Sequence, residues 1–549
     1  MEQDKRGRLM KGAWVMMSAA SVAALAVAAC QARSSSDPSQ ATELTASEAA
    51  RCQGLTGQRL GGATVEAAQA QKKGFKIGKG LSRKAPTAFC HVQATGSSGP
   101  GSKIRIEIFL PPHWNGKLFG VGGGGLSGGL SGSSAFIAPE LARGYAGVAN
   151  DAGHQDDKSV AWALNAPAIE DFGFKANHQA LLAAKAVMAA YYGRPADRSY
   201  FFGCSNGGRD ALMLAQRWPT DYDGIVAGAP AADWTRLTST FLFNHRLLEE
   251  TPGAEKLGSK FELIREAAVR QCDTLDGVAD GVLENPLACR FDPAQLQCKD
   301  GDKTSKCLTP GEVQVVRAFY QGPRSKDGQS VYPGYPPGSE YGKSIIPIQG
   351  WGNWNVKGPQ AGFALSKAYY SAMVAGDLGW NPASFDLDRD YPKARQKTGA
   401  ALDADNPDLR PFADHGGKLI LFHGWEDPAI PAQATINYYS AVSERTGAQA
   451  DTSVRLFMAP GMSHCMFGHG PDVFDPVAAI DGWVSSGKPP ETIIASKMSS
   501  NIAQALGRPT KTVRTRPLCA WPKVAHYNGT GSTDEARNFT CVAPTPPSA

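Results

Sequence analysis

The segment Ser199-Tyr-Phe-Phe-Gly-Cys-Ser-Asn-Gly207 carries the strongest indication of the fold. Its apolar first half predicts a buried β-strand, and the residues from Gly207 to Trp218 have a helical pattern. Gly203, Ser205 and Gly207 fit the pattern G-x-S-x-G, in which glycines allow a tight strand-to-helix turn that exposes the serine hydroxyl. A chance Gly/Ser turn is the alternative, but a strand before and a helix after the turn favour a nucleophilic serine.

The segments on both sides of this turn alternate between strand and helix patterns, which predicts an α/β fold with a parallel sheet and helices on its faces. Together with the serine turn, the alternation predicts an α/β-hydrolase catalytic domain. A helix is predicted over 177–192, and strands are predicted at 103–110, 117–121, 145–149, 199–203, 224–228, 418–422 and 453–458.

Residues 233–400 interrupt this alternation and are rich in Trp, Tyr, Pro, Gly and Cys. We therefore interpret them as an inserted lid domain, and residues 51–232 and 401–549 as the two parts of one catalytic domain. Residues 31–50 are polar and rich in Ser and Ala, so we interpret them as a linker.

The first thirty residues have the features of an export signal. A basic start is followed by an apolar stretch from about Ala13 to Ala29, and small residues precede Cys30. Cleavage before Cys30 would leave a cysteine that can carry a lipid, whereas cleavage nearby would give an ordinary secreted protein. No other segment is apolar enough for long enough to span a bilayer.

Composition excludes one broad class of function. A net charge of +5 over 549 residues, without basic runs or interleaved aromatic residues, argues against nucleic-acid binding. The length and the hydrophobic content of 42% allow a large core in more than one domain. The sequence carries no signal for an oligomeric state.

A serine needs a base and an acid, and α/β-hydrolases place them in the order Ser, Asp or Glu, His. His464 lies in a Gly-containing loop after a predicted strand, and His469 close behind it is the main competitor. Asp427 follows the strand 418–422 and is our choice of acid. Its neighbour Glu426 is expected to be a solvated loop charge, and His423 precedes the acid and is expected to shape the pocket or hold a loop.

The oxyanion of an acyl-transfer reaction needs two hydrogen-bond donors. One is expected to be the N–H of Asn206, the residue after the nucleophile, and the other an N–H of the glycine run 122–125. Such a run is also a common flexible turn, but its place after a strand favours a donor loop.

The ten cysteines after Cys30 form an even set that is expected to pair in an oxidising compartment. No C-x-x-C pair is present, which argues against a zinc site. Close spacing predicts the pairs Cys272–Cys289, Cys298–Cys307 and Cys519–Cys541, and a Cys52–Cys90 pair would staple the N-terminal region. This leaves Cys204 beside Ser205 and Cys465 beside His464, and a disulfide between them would tie nucleophile to base.

The paired motifs Gly203-Cys-Ser-Asn-Gly-Gly-Arg209 and Pro460-Gly-Met-Ser-His-Cys465 closely resemble those of the tannase and feruloyl esterase family, which includes mono(2-hydroxyethyl) terephthalate hydrolase. Tyr222-Asp-Gly-Ile-Val-Ala-Gly-Ala-Pro230 and His423-Gly-x-x-Asp427 match as well, and the resemblance covers nearly all of the mature chain. It implies the triad Ser205, Asp427 and His464, an oxyanion donor at Gly125, and the five disulfides including Cys204–Cys465.

An acidic turn in the predicted lid has two readings. Spacing alone favours a solvated Asp/Gly turn, although hard oxygen ligands also suit calcium. The family resemblance implies a structural calcium here. Its ligands would be the side chains of Asp273, Asp276 and Asp280 and the carbonyls of Val278 and Val282.

The resemblance implies an ester of an aromatic acid as substrate. Aromatic lid residues could hold the acyl group, although such residues more often fill the lid core: Trp351, Trp354, Phe363, Tyr369 and Tyr370. The terephthalate branch uses a lid arginine for the free carboxylate. The corresponding place here has none, only Lys357 or Lys367 nearby, so we expect a phenolic ester such as a ferulate or gallate ester.

Two other classes of function remain open at this stage. One is a secreted binding protein on an inactive hydrolase fold, and the other is a peptidase or transferase with the same nucleophile. The intact Ser, Asp and His argue against the first.

Overall fold

The computed structural model describes residues 41–78, 82–155, 159–301, 303–341, 350–356, 361–505 and 508–544. They separate into two compact units, the first ending at Tyr222 and the second beginning at Asp223. The predicted signal peptide, which includes Cys30, and residues 31–40 of the predicted linker lie outside the described residues, and the end of that linker, from Ala46, belongs to the first helix.

The first unit is built on a mixed sheet with the strand order β1-β2-β5-β6-β8-β7-β9. Strands β7, β8 and β9 are parallel, and β1, β2, β5 and β6 extend the sheet by antiparallel pairing up to β8. A separate hairpin pairs β3 with β4. The strands are β1 (Arg59–Leu60), β2 (Ala63–Gln71), β3 (Lys76–Ile77), β4 (Arg83–Lys84), β5 (Phe89–Gly96), β6 (Ile104–Leu110), β7 (Lys117–Val121), β8 (Ala146–Asn150) and β9 (Arg198–Cys204).

Helices accompany this sheet in the expected alternation. The longest, α4, is rich in alanine and ends at Gly193, whose φ of 76° gives the left-handed cap that glycine adopts readily. The helices are α1 (Ala46–Gln53), α2 (Ile137–Ala142), α3 (Ala166–Glu170), α4 (Ala176–Tyr192) and α5 (Asn206–Arg217).

The second unit contains three parallel strands, β10 (Gly224–Gly228), β11 (Lys418–Gly424) and β12 (Val454–Ala459). Nearly every side chain on them is buried, which explains the continuous apolar runs in their sequences. Two antiparallel hairpins follow: β13 (Thr492–Met498) with β14 (Thr512–Cys519), and β15 (Val524–Tyr527) with β16 (Phe539–Val542).

Between β10 and β11 the described residues form helices and loops without a β-strand. Residues from Ala254 to Trp351 share a hydrophobic core of their own. This agrees with the change of pattern in the sequence, while the boundaries 233–400 stay a prediction. The helices of the second unit are α6 (Trp234–Glu250), α7 (Phe261–Cys272), α8 (Pro310–Gln321), α9 (Trp351–Asn355), α10 (Ala361–Tyr369), α11 (Leu387–Ala394), α12 (Ala400–Leu402), α13 (Arg410–Asp414), α14 (Ala432–Thr446), α15 (Ala450–Ser453), α16 (Pro476–Ser486) and α17 (Asn501–Ala505).

Four predicted disulfides are present in the structure: Cys52–Cys90, Cys272–Cys289, Cys298–Cys307 and Cys519–Cys541. Their Cα–Cα separations of 4.9–5.7 Å lie within the usual range for this bond. Cys204 and Cys465 are disulfide-bonded as well. Such a set is typical of proteins of oxidising, extracellular compartments.

Within the described residues, no helix combines the length and the apolar character needed to cross a bilayer.

Candidate active site

Ser205 occupies a strained turn in the first unit. Strand β9 ends at Cys204 and helix α5 begins at Asn206, so Ser205 alone joins strand to helix. Its φ of 64° and ψ of −124° lie outside the regions that side-chain-bearing residues favour. Strain of this kind costs about 1–3 kcal/mol and concentrates at functional sites.

The glycines around Ser205 are required by close backbone approach. A Cβ atom on Gly203 would lie 2.0 Å from the carbonyl oxygen of Gly207, and one on Gly207 would lie 2.7 Å from that of Gly123. A Cβ on Gly122 would meet the Cα of Gly207 at 2.7 Å. The serine turn and the glycine loop therefore touch through backbone alone, as the G-x-S-x-G pattern predicts.

Most N–H groups of the glycine loop already have acceptors. The N–H groups of Gly122 and Gly124 donate to the carbonyl oxygens of Phe202 and Ser127, at 3.0 and 3.2 Å. The N–H of Gly123 donates to Oδ2 of Asp210 at 3.2 Å. The N–H of Gly125, at φ 58°, has no acceptor among the described residues. The N–H of Asn206, first in helix α5, has no intrahelical acceptor by its position.

A buried ion pair supports this loop, and sequence analysis gave it no role. Arg209 is fully buried and donates to Oδ1 of Asn206 (2.7 Å) and Oδ1 of Asp210 (2.8 Å). Oδ2 of Asp210 accepts from the N–H of Gly123. Burial raises the pKa of Asp210, while the charge of Arg209 opposes that rise. The ion pair therefore connects Asn206 to the glycine loop. In the sequence, the only indication of this ion pair is two adjacent charged residues in the first turn of a buried helix.

Asp427, the predicted acid, lies in the second unit and is completely buried after strand β11. Its Oδ1 accepts the N–H groups of Ala429 and Ile430 at 2.8 and 2.9 Å. Its Oδ2 lies 2.7 Å from Nδ1 of His464. Burial alone would raise the pKa of Asp427, but His464 and His423 hold it below the usual range. The carboxylate is therefore ionised at neutral pH.

His464 receives its orientation from this contact. Because an ionised carboxylate only accepts, Nδ1 of His464 carries the hydrogen and Nε2 is the basic nitrogen. The side chain is nearly buried, at 6% exposure for the residue. Its loop is strained, since Cys465 and Phe467 have φ values of 64° and 62° without being glycine. This is the arrangement that a general base requires.

His423 was expected to shape the pocket or hold a loop, and it does bond to the loop after β11, but its direct contact with Asp427 was not predicted. Its Nε2 lies 3.0 Å from the carbonyl oxygen of Ile430 and 3.1 Å from Oδ2 of Asp427, so Nε2 carries the hydrogen. Its Nδ1 then accepts from the Thr435 hydroxyl at 2.7 Å. His423 is thus a donor that holds Asp427 in place.

The expectation that Glu426 is a solvated charge was wrong. Glu426 is 8% exposed and forms a second carboxylate–histidine pair, with Oε2 at 2.6 Å from Nδ1 of His469. Its Oε1 accepts from Arg265 at 3.1 Å. Burial would raise the pKa of Glu426, but His469 and Arg265 lower it overall. The charge of Glu426 can be buried because His469 and Arg265, from distant segments of the chain, pair with it. No local sequence pattern predicts these partners.

Comparison of this chain with known proteins identifies its family. A family model described as "Tannase and feruloyl esterase" matches residues 90–542. The chain belongs to the tannase and feruloyl esterase family. It is therefore a carboxylic ester hydrolase, and its fold is that of the α/β-hydrolases.

Relatives of this tannase-family chain include two bacterial proteins that are 34% identical to it. One is an uncharacterized esterase of Xanthomonas campestris, with 91% of this chain and 92% of the relative covered. The other is mono(2-hydroxyethyl) terephthalate hydrolase of Piscinibacter sakaiensis, with 82% and 83% covered. Among solved structures, feruloyl esterase B of Aspergillus oryzae superposes with a TM-score of 0.80 at 26% identity, covering 90% of this chain and 100% of that one.

The lid aromatics of this tannase-family enzyme fall into two groups. Trp351 stacks on Phe319 with ring centroids 4.6 Å apart and is fully buried, so it belongs to the core of its region. Tyr369 and Tyr370 are buried in the same way, with hydroxyls bonded to Thr398 and Ser239. Trp354 is also buried, at 6% exposure, but it lies beside the ring of His464, with ring centroids 6.3 Å apart.

Phe363 is half-buried and stacks on His245, with ring centroids 3.9 Å apart. Lys367 is exposed, and Lys357 lies outside the described residues. Trp354 is therefore the one lid aromatic of the predicted five that the structure brings to a predicted catalytic side chain.

The acidic turn is held by its own backbone and by arginines. The carboxylates of Asp273, Asp276 and Asp280 accept the N–H groups of Gly281, Val278 and Val282, at 3.0–3.1 Å. Asp280 also binds Arg514 (3.1 Å) and Arg516. Burial and the neighbouring carboxylates raise the pKa of Asp276 to about 7.

A bound cation would relieve the repulsion in this turn, but Asp280 is already neutralised by the two arginines. Among the described residues, no three His, Cys, Asp or Glu side chains converge as a metal-binding group. The fit to the predicted calcium site is therefore partial.

Proposed function

We propose that this protein is a secreted serine hydrolase that cleaves esters of phenolic acids, such as ferulate or gallate, through Ser205, His464 and Asp427. The observation that carries the proposal is the buried Asp427–His464 hydrogen bond, which fixes the basic nitrogen of His464. The strained turn at Ser205 and the acceptor-free N–H of Gly125 support it.

In the proposed reaction, Oγ of Ser205 attacks the ester carbonyl carbon while its proton passes to Nε2 of His464. The N–H groups of Gly125 and Asn206 donate to the resulting oxyanion. The bond to the alcohol oxygen then breaks as His464 returns the proton to it, and the acyl group stays on Ser205. Water repeats the sequence, releasing the acid and restoring the serine.

We propose that Trp354 packs against the aromatic acyl group of the substrate, because it is the lid aromatic residue next to His464. We expect Trp354→Ala to lower kcat/KM for methyl ferulate and methyl gallate by about 10- to 100-fold, and for a small aliphatic ester much less. Trp351→Ala is unsuitable as a control because it is a core residue, whereas Phe363→Ala is a matched aromatic control. An equal loss on aliphatic and aromatic esters would contradict this assignment.

The second candidate substrate is the mono(2-hydroxyethyl) terephthalate ester, the substrate in the name of one relative. That substrate carries a free carboxylate, which needs a cation. In this chain Lys367 is exposed and no arginine occupies the place expected from the resemblance. We therefore expect the enzyme to prefer methyl ferulate or methyl gallate to the terephthalate monoester when kcat/KM is measured for all three.

Simple assays distinguish an ester hydrolase from the two alternative classes of function. An inactive binding protein on this fold would fail to hydrolyse any ester and would resist fluorophosphonate reagents. A peptidase would cleave amides as well as esters, and an acyltransferase would transfer the acyl group to added alcohols instead of water. We expect acid and alcohol as the only products.

We propose that Cys204 and Cys465 pair with each other. Each is disulfide-bonded and each adjoins a residue of the proposed triad. Such a bond closes a long loop, which contributes about 4–5 kcal/mol in the chain-entropy model, and it restrains the base relative to the nucleophile.

Replacing both cysteines by serine is expected to lower the melting temperature by several degrees and kcat by about 10-fold or more. The matched control is the double serine variant of Cys298 and Cys307, whose disulfide spans 9 residues. That variant should keep full kcat. Unchanged kcat in the Cys204→Ser/Cys465→Ser variant would contradict the clamp, and peptide mapping without reduction identifies the pair directly.

We propose that the acidic turn binds a structural calcium through Asp273, Asp276 and Asp280 and the carbonyls of Val278 and Val282. The family resemblance and the raised pKa of Asp276 support this. When bound, the cation would neutralise the turn and stabilise the fold, and it has no part in the ester chemistry.

Removal of calcium by a chelator is expected to lower the melting temperature by several degrees, with recovery on adding Ca²⁺ but not Mg²⁺. Because the folded-state pKa of Asp276 is raised from 3.8 to about 7, the cation-free fold loses stability as the pH rises between these two values and is least stable above about pH 7. Asp276→Asn should therefore abolish the calcium effect while raising the stability of the chelated protein at pH 8. A melting temperature indifferent to chelator and Ca²⁺ would contradict the site.

We further propose that residues 1–30 direct export and that Cys30 becomes either a lipidated N-terminus or part of the removed signal. Mass spectrometry of the mature N-terminus from a bacterial host distinguishes the two outcomes.

A further inference from the structure

The two proposed oxyanion donors are backbone N–H groups, so their direction is set by the peptide planes to which they belong. In a planar trans peptide the N–H points opposite to the C=O of the preceding residue. The carbonyl of Ser205 therefore sets the direction of the Asn206 donor. The carbonyl of Gly124 does the same for the Gly125 donor, and in the structure both carbonyls are held by hydrogen bonds.

The Asn206 donor is oriented by Arg209. The backbone N–H of Arg209 donates to the carbonyl oxygen of Ser205 at 3.1 Å, so the N–H of Asn206 points out of the N-terminus of helix α5. The side chain of Arg209 also donates, through Nε, to Oδ1 of Asn206 at 2.7 Å. Arg209 therefore holds the residue that carries this donor at two points.

The guanidinium of Arg209 is itself fixed in a fully buried position. Its Nη1 donates to the carbonyl oxygen of Gly173 at 2.6 Å, and its Nη2 donates to that of Phe172 at 3.0 Å. Both carbonyls belong to one π-helical turn, Asp171–Lys175, a local irregularity that is frequent at functional sites. A lysine cannot reproduce this planar set of donors.

The Gly125 donor is oriented by a tight turn whose start is held by Asp210. The carbonyl oxygen of Gly124 accepts the N–H of Ser127 at 2.9 Å, so the N–H of Gly125 points away from Ser127. The N–H of Gly123 donates to Oδ2 of Asp210 at 3.2 Å. The turn is closely packed, because a Cβ on Gly123 would lie 2.1 Å from the carbonyl oxygen of Ser127.

Arg209 and Asp210 join these two arrangements into one unit. Nη2 of Arg209 donates to Oδ1 of Asp210 at 2.8 Å, and both side chains are buried. The two residues are neighbours in helix α5, so the contacts to Asn206 and to Gly123 start from the same helical turn. Loss of either side chain would let the glycine loop shift relative to the helix, and a misplacement of about 1 Å can lower a rate by about 100-fold.

We propose that Arg209 and Asp210 are positioning residues for the oxyanion site, which hold the N–H groups of Asn206 and Gly125 at one fixed separation. The inference rests on the proposed esterase function and deepens it. Both side chains are buried and act only through these backbone groups. Because the oxyanion develops in the transition state, displaced donors should slow the chemical step and leave ground-state binding of the ester unchanged.

The test compares the wild-type protein with Asp210→Asn and Arg209→Lys. It measures kcat and KM for methyl ferulate, and the affinity for an aryl trifluoromethyl ketone, whose tetrahedral adduct with Ser205 places an oxyanion between the two donors. We expect kcat and the affinity for the ketone each to fall by about 10- to 100-fold, while KM stays within about threefold. A purely structural role would not separate kcat from KM in this way.

Glu312→Gln is the matched control, because it breaks another fully buried ion pair, that of Glu312 with Lys260 in the second unit. It should lose stability but keep kcat and ketone affinity within about twofold. Asn206→Ala carries the test if the charge variants fail to fold, since it keeps the backbone N–H and the ion pair and removes only the acceptor of Arg209 Nε. We expect it to lower kcat by about 5- to 10-fold at constant KM.

Losses of kcat and ketone affinity no larger than those of Glu312→Gln would overturn the inference and leave the proposed esterase function intact. A rise in KM at constant kcat would also overturn it, because the ion pair would then support ground-state binding. A folded wild-type protein that hydrolyses no ester would overturn the proposed function, and this inference with it.

Discussion

Ser205→Ala is expected to lower kcat for methyl ferulate and methyl gallate by about 10⁶-fold, the loss that follows removal of a serine nucleophile. The reason is chemical, because no alternative hydroxyl occupies the turn between β9 and α5. Alanine tolerates the backbone of Ser205 no better and no worse than serine, so the melting temperature should stay within a degree or two. Activity is measured by release of the phenolic acid.

Ser199→Ala is a suitable control for this substitution, since Ser199 is a buried serine on the same strand. It should retain kcat within a few-fold. If Ser205→Ala hydrolysed these esters within tenfold of the wild-type rate, Ser205 would not be the nucleophile and the proposed acyl-enzyme would be excluded.

Asp427→Asn is expected to lower kcat by about 10⁴-fold with the fold retained. An asparagine side chain can turn its NH₂ towards Nδ1 of His464, which then accepts that hydrogen bond and leaves the hydrogen on Nε2. The base would then present a donor to the serine hydroxyl. The ionised Asp427 is also lost as the partner of the imidazolium, and the contact from His423 Nε2 is weakened.

Glu426→Gln provides the matched comparison, because Glu426 forms the neighbouring carboxylate–histidine pair. That variant should lose stability through the contacts to Arg265 and His469 but keep kcat within about tenfold. A larger loss of kcat in Glu426→Gln than in Asp427→Asn would reverse the assignment and make His469 the base.

The strands around the serine turn were predictable because parallel strands buried on both faces have continuous apolar sequences. The predictions at 117–121, 224–228 and 418–422 are confirmed by strands β7, β10 and β11. The helix predicted over 177–192 is confirmed by α4.

The antiparallel extension of the sheet was predicted only in part, because the strand at 103–110 is confirmed by β6 whereas β1, β2 and β5 were not predicted. Strand β2 has the sequence Ala63-Thr-Val-Glu-Ala-Ala-Gln-Ala-Gln71, in which alanine and glutamine favour a helix locally. It is a strand because it pairs with β5 along eight residues. Tertiary pairing overrides local propensity here, and no sequence window contains that information.

The residue types and chain order of the candidate site were predictable, since Ser205, Asp427 and His464 each follow a recognisable strand. The contacts that tune them were not. His423 reaches Asp427, Arg209 and Asp210 connect Asn206 to Gly123, and His469 pairs with Glu426 only through the folded chain. These contacts join side chains whose separation in sequence carries no periodic signal.

Fluorophosphonate labelling followed by peptide mapping shows whether Ser205 is the nucleophile, because the reagent reacts only with an activated serine. We expect one adduct on Ser205, abolished in Ser205→Ala and strongly slowed in Asp427→Asn. Absence of an adduct on the folded wild-type protein, or an adduct on another serine that persists in Ser205→Ala, would contradict the proposed role of Ser205.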